Sequence, residues 1–87
     1  MTDDVRYFAI LRDGDSPEQP SGLARRTITP QGRLDEALQR DLTWMRDAAI
    51  YDWERGEEMG ADLVEINEAE AQALTERFRE KWGAQQG

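Results

Sequence analysis

The stretch that decides the fold reads Val5-Arg6-Tyr7-Phe8-Ala9-Ile10-Leu11-Arg12. Its odd positions are all apolar, and apolar residues that recur with a period of two are typical of a β-strand. Its even positions also carry an apolar pair at the centre, Phe8 and Ile10. Because both faces have an apolar centre, we expect a central strand that is covered on both sides, or one whose second face contacts a partner.

A long loop follows this strand and leads to a second one. Residues 13–22 are rich in turn formers and contain two prolines, whereas residues 23–29 form a weaker, more polar strand. The order predicts an antiparallel hairpin with a long connection. Arg25 and Arg26 lie at the middle of the second strand, where neighbours point to opposite faces. We therefore expect cross-strand ion pairs there rather than one phosphate-binding patch.

The segment 34–55 has two interpretations. Residues 29–32 predict a tight turn, with proline second and glycine fourth, and this favours a hairpin into a third strand. The apolar residues beyond the turn also fall within an arc of about 100°, the stripe of an amphipathic helix, and local pattern alone favours this helix. The helical stripe consists of Leu34, Leu38, Leu42, Met45, Ala49 and Trp53.

A pattern spread over most of the chain resembles small uncharacterised proteins of high-GC bacteria. It consists of Tyr7-Phe8, Leu11-Arg12-Asp13-Gly14, Pro20-Ser21-Gly22-Leu23, Asp35-Glu36-Ala37 through Trp44, and Leu63-Val64-Glu65-Ile66 with Glu68-Ala69-Glu70-Ala71. The ratio of ten arginines to one lysine suits that origin. The resemblance implies no particular activity. The resemblance implies a strand over 34–44 and a short helix over 47–55, with Asp47 as its N-cap and Gly56 as its stop.

The C-terminal segment predicts a second helix. Asn67 and Glu70 form a capping box at its start, and Gly83 is expected to end it. Residues 63–66, just before the cap, predict an edge strand, and residues 84–87 a frayed tail. The buried stripe of this helix consists of Ala71, Leu74, Phe78 and Trp82. We therefore expect one α+β domain over 1–87, with an antiparallel sheet of about three strands and the C-terminal helix packed on one face.

Composition excludes most familiar catalytic chemistry. The 87 residues include no cysteine and no histidine, so the chain has no thiolate, no imidazole base and no Cys/His zinc site. The acidic loop at 13–18 does not fit the EF-hand spacing. We therefore expect a protein that is not an enzyme, with no catalytic residue, no cofactor and no metal. The one enzyme class that this composition leaves open is a metal enzyme that uses carboxylates alone.

Charge is strongly segregated. There are 11 Lys+Arg and 19 Asp+Glu, a net charge of −8, and residues 52–70 hold eight acids against one arginine. Such a surface repels phosphate backbones and anionic membranes, so we expect neither nucleic acid nor membrane as a partner. The acidic N-terminus lacks the features of a secretory signal, and no apolar run approaches 18 residues. A cytoplasmic location is expected.

Aromatic residues and clustered acids are the candidate interaction residues. Three tryptophans are difficult to bury completely in a domain of this size, and tryptophan is a common interface anchor. The candidates are Trp44, Trp53, Trp82, Phe8, Glu54, Glu57 and Glu58. The sequence predicts a non-catalytic protein–protein interaction module that self-associates as a homo-oligomer, such as a homodimer, or binds another protein. The alternative is an acidic inhibitor or nucleic-acid mimic that binds a basic site on another protein.

Overall fold

A computed structural model describes residues 4–56 and 60–86 of the chain, with side chains up to residue 83. Within those ranges there are five strands and two helices. They are β1 (Asp4–Arg12), β2 (Gly22–Thr29), β3 (Gly32–Leu38), β4 (Trp44–Arg46), α1 (Ala49–Glu54), β5 (Ala61–Ile66) and α2 (Glu68–Gln86).

The strands form one antiparallel sheet in the order β4-β3-β2-β1-β5. β1 pairs with β2, where Tyr7 lies opposite Arg25, and with β5, where Ala9 lies opposite Val64. These pairings confirm the hairpin with a long connection and the edge strand before the last helix. The α+β class is also confirmed. The predicted number of about three strands is wrong, because the sheet has five.

The additional strand β4 forms because the segment after Leu38 turns back and pairs with β3. Gln39 N–H donates to the Thr43 carbonyl at 2.8 Å, and Leu42 adopts a positive φ of 67°. The Asp41 carboxylate accepts hydrogen bonds from both the N–H and the hydroxyl of Thr43, a local arrangement that competes with continued strand. The strand predicted over 34–44 is therefore confirmed over 34–38, which belong to β3, and is wrong beyond Leu38, whereas the long helix is absent from this described segment. The segment forms the β3–β4 hairpin instead.

The short helix predicted after this segment is present but covers fewer residues. α1 runs over Ala49–Glu54, with Ala48 at the N-cap position, so the assignment of Asp47 as N-cap is wrong by one residue. Asp47 still supports the helix start, because its carboxylate accepts the Ala49 N–H at 2.7 Å. Gly56 has φ +76° and ends the helix, as predicted.

α2 begins as the sequence predicts and ends later. The Asn67 side chain accepts the Glu70 N–H at 2.7 Å, and Glu70 accepts the Asn67 N–H at 3.2 Å, which confirms the capping box. Gly83 lies inside the helix, which continues to Gln86, so the prediction that it ends α2 is wrong. Glycine only weakens a helix interior unless the backbone needs a left-handed residue there. The fraying predicted for 84–87 lies outside the described side chains.

Two apolar clusters lie on opposite faces of the sheet, and β1 contributes to both. This confirms that β1 is covered on both sides. The cluster under α2 consists of Ala9, Leu23, Leu38, Ala71, Leu74, Phe78 and Trp82. The cluster under α1 consists of Phe8, Ile10, Ala24, Ile50 and Leu63. Within the described part of the chain, neither helix has the length and apolarity needed to cross a bilayer.

Candidate functional site

The sheet is covered unequally, and the face that carries α1 is the thinner side. Register places Ile28 and Met45 on this face, and Tyr51 and Trp53 belong to α1 itself. These four side chains, which we call the α1 face, are 37–57% exposed, and Met45 is the most exposed of them. A helix of six residues cannot cover five strands. Over residues 4–56 and 60–83, most of the exposed large apolar side chains therefore lie on this side.

A buried arginine fixes α1 to the sheet. Arg26 is 7% exposed and bonds Asp35 through two nitrogens, at 2.8 and 3.0 Å. It bonds both carboxylate oxygens of Glu54, the last residue of α1, at 2.9 and 2.8 Å. The hydrogen bond from Arg26 lowers the pKa of Glu54, and the bonds to Asp35 and then Glu54 raise the pKa of Arg26. Four of the five N–H donors of Arg26 are used within the chain, so this cluster is structural.

Trp53 and Asp62 close one edge of the sheet. The Trp53 ring packs against Phe8 with centroids 6.2 Å apart, and its indole N–H donates to Asp62 Oδ1 at 2.9 Å. The same oxygen accepts the backbone N–H of Leu63 at 2.9 Å. Asp62 thus occupies a backbone donor near the middle of the edge strand β5. An edge protected in this way is less available for pairing with another strand.

The other edge, β4, presents backbone groups away from the sheet. Gln39 N–H donates to the Thr43 carbonyl, and Asp47 N–H donates to the Asp35 carbonyl. Because hydrogen-bonded pairs alternate along an antiparallel ladder, Met45 is the residue of β4 whose backbone groups face β3. Because bonding directions alternate along a strand, the N–H and C=O groups of Trp44 and Arg46 point away from β3. β4 is therefore an edge strand whose outward backbone groups flank an exposed methionine.

Arginines border the aromatic groups on both sides of the sheet. On the α1 side, the guanidinium groups of Arg33 and Arg55 lie 5.7 and 5.2 Å from the Tyr51 ring. On the α2 side, Arg25 lies 4.1 Å over the Trp44 ring. Such contacts between a cation and an aromatic face are each worth about 0.5–1 kcal/mol at exposed sites. Positive charge thus lies beside the exposed rings of a strongly acidic chain.

Trp44 also lines an open groove between the sheet and α2. The groove has a volume of about 470 Å³, and Tyr7 and Arg25 lie along it. Glu36 holds Arg25 by a hydrogen bond of 2.9 Å from Nε to Oε1. The Trp44 side chain is half-buried beside this held arginine, close to the outward backbone groups of β4.

The predicted interaction residues differ in how far the structure exposes them. Phe8 and Trp82 are 6% exposed and belong to the two cores, so their assignment as surface anchors is wrong. Trp82 is buried because it stacks on Phe78, with centroids 4.3 Å apart. Trp44 is half-buried and Trp53 is 37% exposed. Glu54 is bound by Arg26, while Glu57 and Glu58 lie outside the described residues.

The sequence-based list missed three exposed apolar residues of the α1 face, namely Ile28, Met45 and Tyr51. Met45 fits the helical stripe predicted over 34–53, whereas the structure places it at the middle of a three-residue strand. The ion pairs of Arg25 and Arg26 were expected, and the turn at 29–32 sets their register. With Thr29 opposite Gly32, Arg26 lies opposite Asp35 and Arg25 opposite Glu36.

Three carboxylates of the described residues accept hydrogen bonds that favour their ionised form. Hydrogen bonds lower the pKa of Asp15, Asp41 and Glu54, which makes these groups poorer proton donors near neutral pH. Within residues 4–56 and 60–86, no three carboxylates lie close enough together to hold a metal ion. The features that stand out are instead an exposed apolar face and an edge strand.

The fold and these surfaces define a small α+β domain with a five-stranded antiparallel sheet. No protein-family model matches the chain, and no curated protein or solved structure shows a significant match.

Proposed function

We propose that the protein is a non-catalytic interaction module that binds a second copy of itself, in the cytoplasm. The observation that carries the proposal is the β4 edge. Its central residue, Met45, is 57% exposed, and its neighbours Trp44 and Arg46 direct backbone groups away from the sheet. An edge strand with free backbone groups and an apolar side chain is a template for pairing with another chain.

The difference between the two edges supports this choice of surface. At β5 the Leu63 N–H is occupied by Asp62, which Trp53 holds in place. At β4 the outward groups have no such side-chain cover from Asp41 or Asp47, whose carboxylates accept the N–H groups of Thr43 and Ala49. β5 thus has the N–H of Leu63 occupied, whereas among the described residues no comparable bond covers the outward N–H groups of Trp44 and Arg46 in β4.

The acidic-inhibitor alternative has weaker support. Three acids of the 52–70 stretch have defined partners within the chain, because Glu54 binds Arg26, Asp62 binds Trp53 and Glu70 completes the cap of α2. These carboxylates are held by the fold and are less available to a basic partner. Glu65 and Glu68 are exposed and are the acids of this stretch that best support the alternative.

Light scattering on a size-exclusion column tests self-association. We expect a mass that rises from 10.0 kDa toward twice that value as concentration increases. Because both copies carry a net charge of −8, added salt screens their repulsion and strengthens or preserves the dimer. A chain that remains a monomer up to millimolar concentration would refute the proposal. Poly-lysine binding that disappears with salt would then favour the acidic alternative.

A matched pair of variants tests the surface. Arg46→Pro removes an N–H group that the β3–β4 pairing does not use, so the monomer keeps its ladder while the edge loses a donor. Val64→Thr changes an exposed residue of the closed edge, β5, and serves as the control. We expect the dimer to be lost in Arg46→Pro and retained in Val64→Thr, with circular dichroism showing that both variants are folded.

A further inference from the structure

The side chains of β4 are complementary to those of a second β4 when the two copies are related by a two-fold axis. Its side chains alternate, with Trp44 and Arg46 on the α2 side and Met45 on the α1 side. Two antiparallel copies of a strand pair residues that lie on the same face. A tryptophan and an arginine on one face can therefore meet each other across the axis, and a methionine can meet itself on the other.

Backbone bonding selects one register among those available. In an antiparallel pair, residues with facing backbone groups exchange two hydrogen bonds. If Trp44 lies opposite Arg46 of the second copy, both outward residues of this three-residue strand are used, in two bonded pairs. Shifting the strand to place Trp44 opposite Trp44, or Arg46 opposite Arg46, leaves one bonded pair within the strand.

Side-chain chemistry favours this register over the one that places Arg46 opposite Arg46. Placing Arg46 opposite Arg46 brings two like charges together, which is destabilising. Placing Arg46 opposite Trp44 gives a cation beside an aromatic ring, twice per dimer. The Trp44 ring already has Arg25 4.1 Å over it, so its environment tolerates positive charge. The Glu36 carboxylate, on the residue opposite Arg46 in β3, supplies nearby negative charge.

We infer that two copies of this chain pair antiparallel through β4, with Met45 facing Met45 on the two-fold axis and Trp44 facing Arg46. This inference rests on the proposed self-association and names its contact. The two sheets join into one of ten strands, and the two α1 faces lie side by side on the same surface. The Met45 side chains, the most exposed of the α1 face, cover each other.

A disulfide at the axis tests the register. The chain has no cysteine, so Met45→Cys introduces a single thiol. In this register residue 45 lies opposite residue 45 of the second copy in a non-hydrogen-bonded pair. The two Cα atoms of such a pair lie ~4.5 Å apart, within the range that a disulfide spans. Val64→Cys places a thiol at an exposed residue of the β5 edge, 38% exposed against 57% for Met45, and is the control. Under mild oxidation we expect a covalent dimer for Met45→Cys at least tenfold faster than for the control.

A charge series gives an independent readout. Arg46→Glu replaces the cation beside Trp44 at two places per dimer, so we expect the dimer dissociation constant to rise about tenfold. Arg46→Lys keeps the cation and should restore most of the affinity. If wild-type chain dimerises but Met45→Cys cross-links no faster than Val64→Cys, and Arg46→Glu leaves the constant unchanged, the register is refuted while self-association stands. If the wild type is a monomer, the proposed function itself fails.

Discussion

Arg26 and Glu54 lie 28 positions apart in the chain, yet their side chains form two hydrogen bonds, at 2.8 and 2.9 Å. Arg26 belongs to the middle of β2 and Glu54 ends α1, so the pair fixes the helix over the sheet. Asp35 of β3 binds the same guanidinium from the side. A buried arginine therefore holds the C-terminal end of α1 to the sheet, alongside the packing of Ile50 in the core.

Removing the partners of Arg26 should destabilise the domain unequally. The Asp35 side chain is 12% exposed, so Asp35→Asn leaves the buried Arg26 cation with one of its two carboxylates. We expect the free energy of unfolding to fall by about 2 kcal/mol. Glu54 is 43% exposed and screened by solvent, so Glu54→Gln should cost about 1 kcal/mol or less. Glu76→Gln, in an exposed ion pair on α2, is the control. Urea unfolding measures all three, and equal losses for Asp35→Asn and Glu76→Gln would contradict this view.

The Arg26–Glu54 pair also predicts a specific dependence of stability on pH. The pKa of Glu54 is lowered in the folded state from its ordinary value of 4.5 by the hydrogen bond from Arg26. The folded state therefore binds this proton more weakly than the unfolded state. The contribution of Glu54 is fully present above pH 4.5 and is lost as pH falls through the lowered pKa.

Comparison of the wild type with Glu54→Gln isolates this effect, because the pKa values of Asp15 and Asp41 are lowered in both proteins and cancel. We expect the difference in Tm to be constant between pH 5 and 8 and to shrink below pH 4.5. A difference in Tm that grows as the solution is acidified would show that the pair acts in the opposite direction.

Elements with strong local signals were predictable from sequence, and those set by distant contacts were not. The alternation over residues 5–12, the turn at 29–32 and the Asn67–Glu70 capping box all depend on neighbours within a few positions. The turn also fixes the register that pairs Arg26 with Asp35. The third partner, Glu54, comes from an element whose position depends on the whole fold.

The segment 34–55 shows why the rest failed. β4 has three residues, too few for a period of two to be distinguished from a helical stripe. The turn before it depends on Asp41 and on Leu42 in a left-handed conformation, which a leucine rarely adopts. Met45 consequently appeared as a core residue of a helix, whereas the hairpin places it on an exposed edge.

Two glycines should respond in opposite ways to alanine. Gly83 lies inside α2 without a positive φ, and a Cβ there meets nothing within 4 Å. Gly83→Ala should therefore stabilise the protein by about 0.5 kcal/mol, by raising helix propensity near a helix end. Gly56 has φ +76°, so Gly56→Ala should cost about 1 kcal/mol although space is available. Thermal unfolding measures both, and stabilisation by Gly56→Ala would contradict the assigned end of α1.

Closure of the β5 edge should depend on Asp62 as an acceptor rather than on its charge. Asp62 Oδ1 receives the Trp53 indole N–H and the Leu63 backbone N–H, each at 2.9 Å. Asp62→Ala removes both bonds, at a cost of about 1 kcal/mol, and exposes a backbone donor on an edge that carries the exposed Val64.

Asp62→Asn keeps a side-chain oxygen in the same place and is the matched variant. We expect hydrogen exchange at the Leu63 amide to be at least about fivefold faster in Asp62→Ala and nearly unchanged in Asp62→Asn, since one lost hydrogen bond of about 1 kcal/mol corresponds to such a factor. Because an unprotected edge can pair with another chain, Asp62→Ala should also form species larger than the dimer in light scattering. If Asp62→Asn behaves like Asp62→Ala in both measurements, repulsion by the carboxylate, and not its hydrogen bonds, keeps this edge closed.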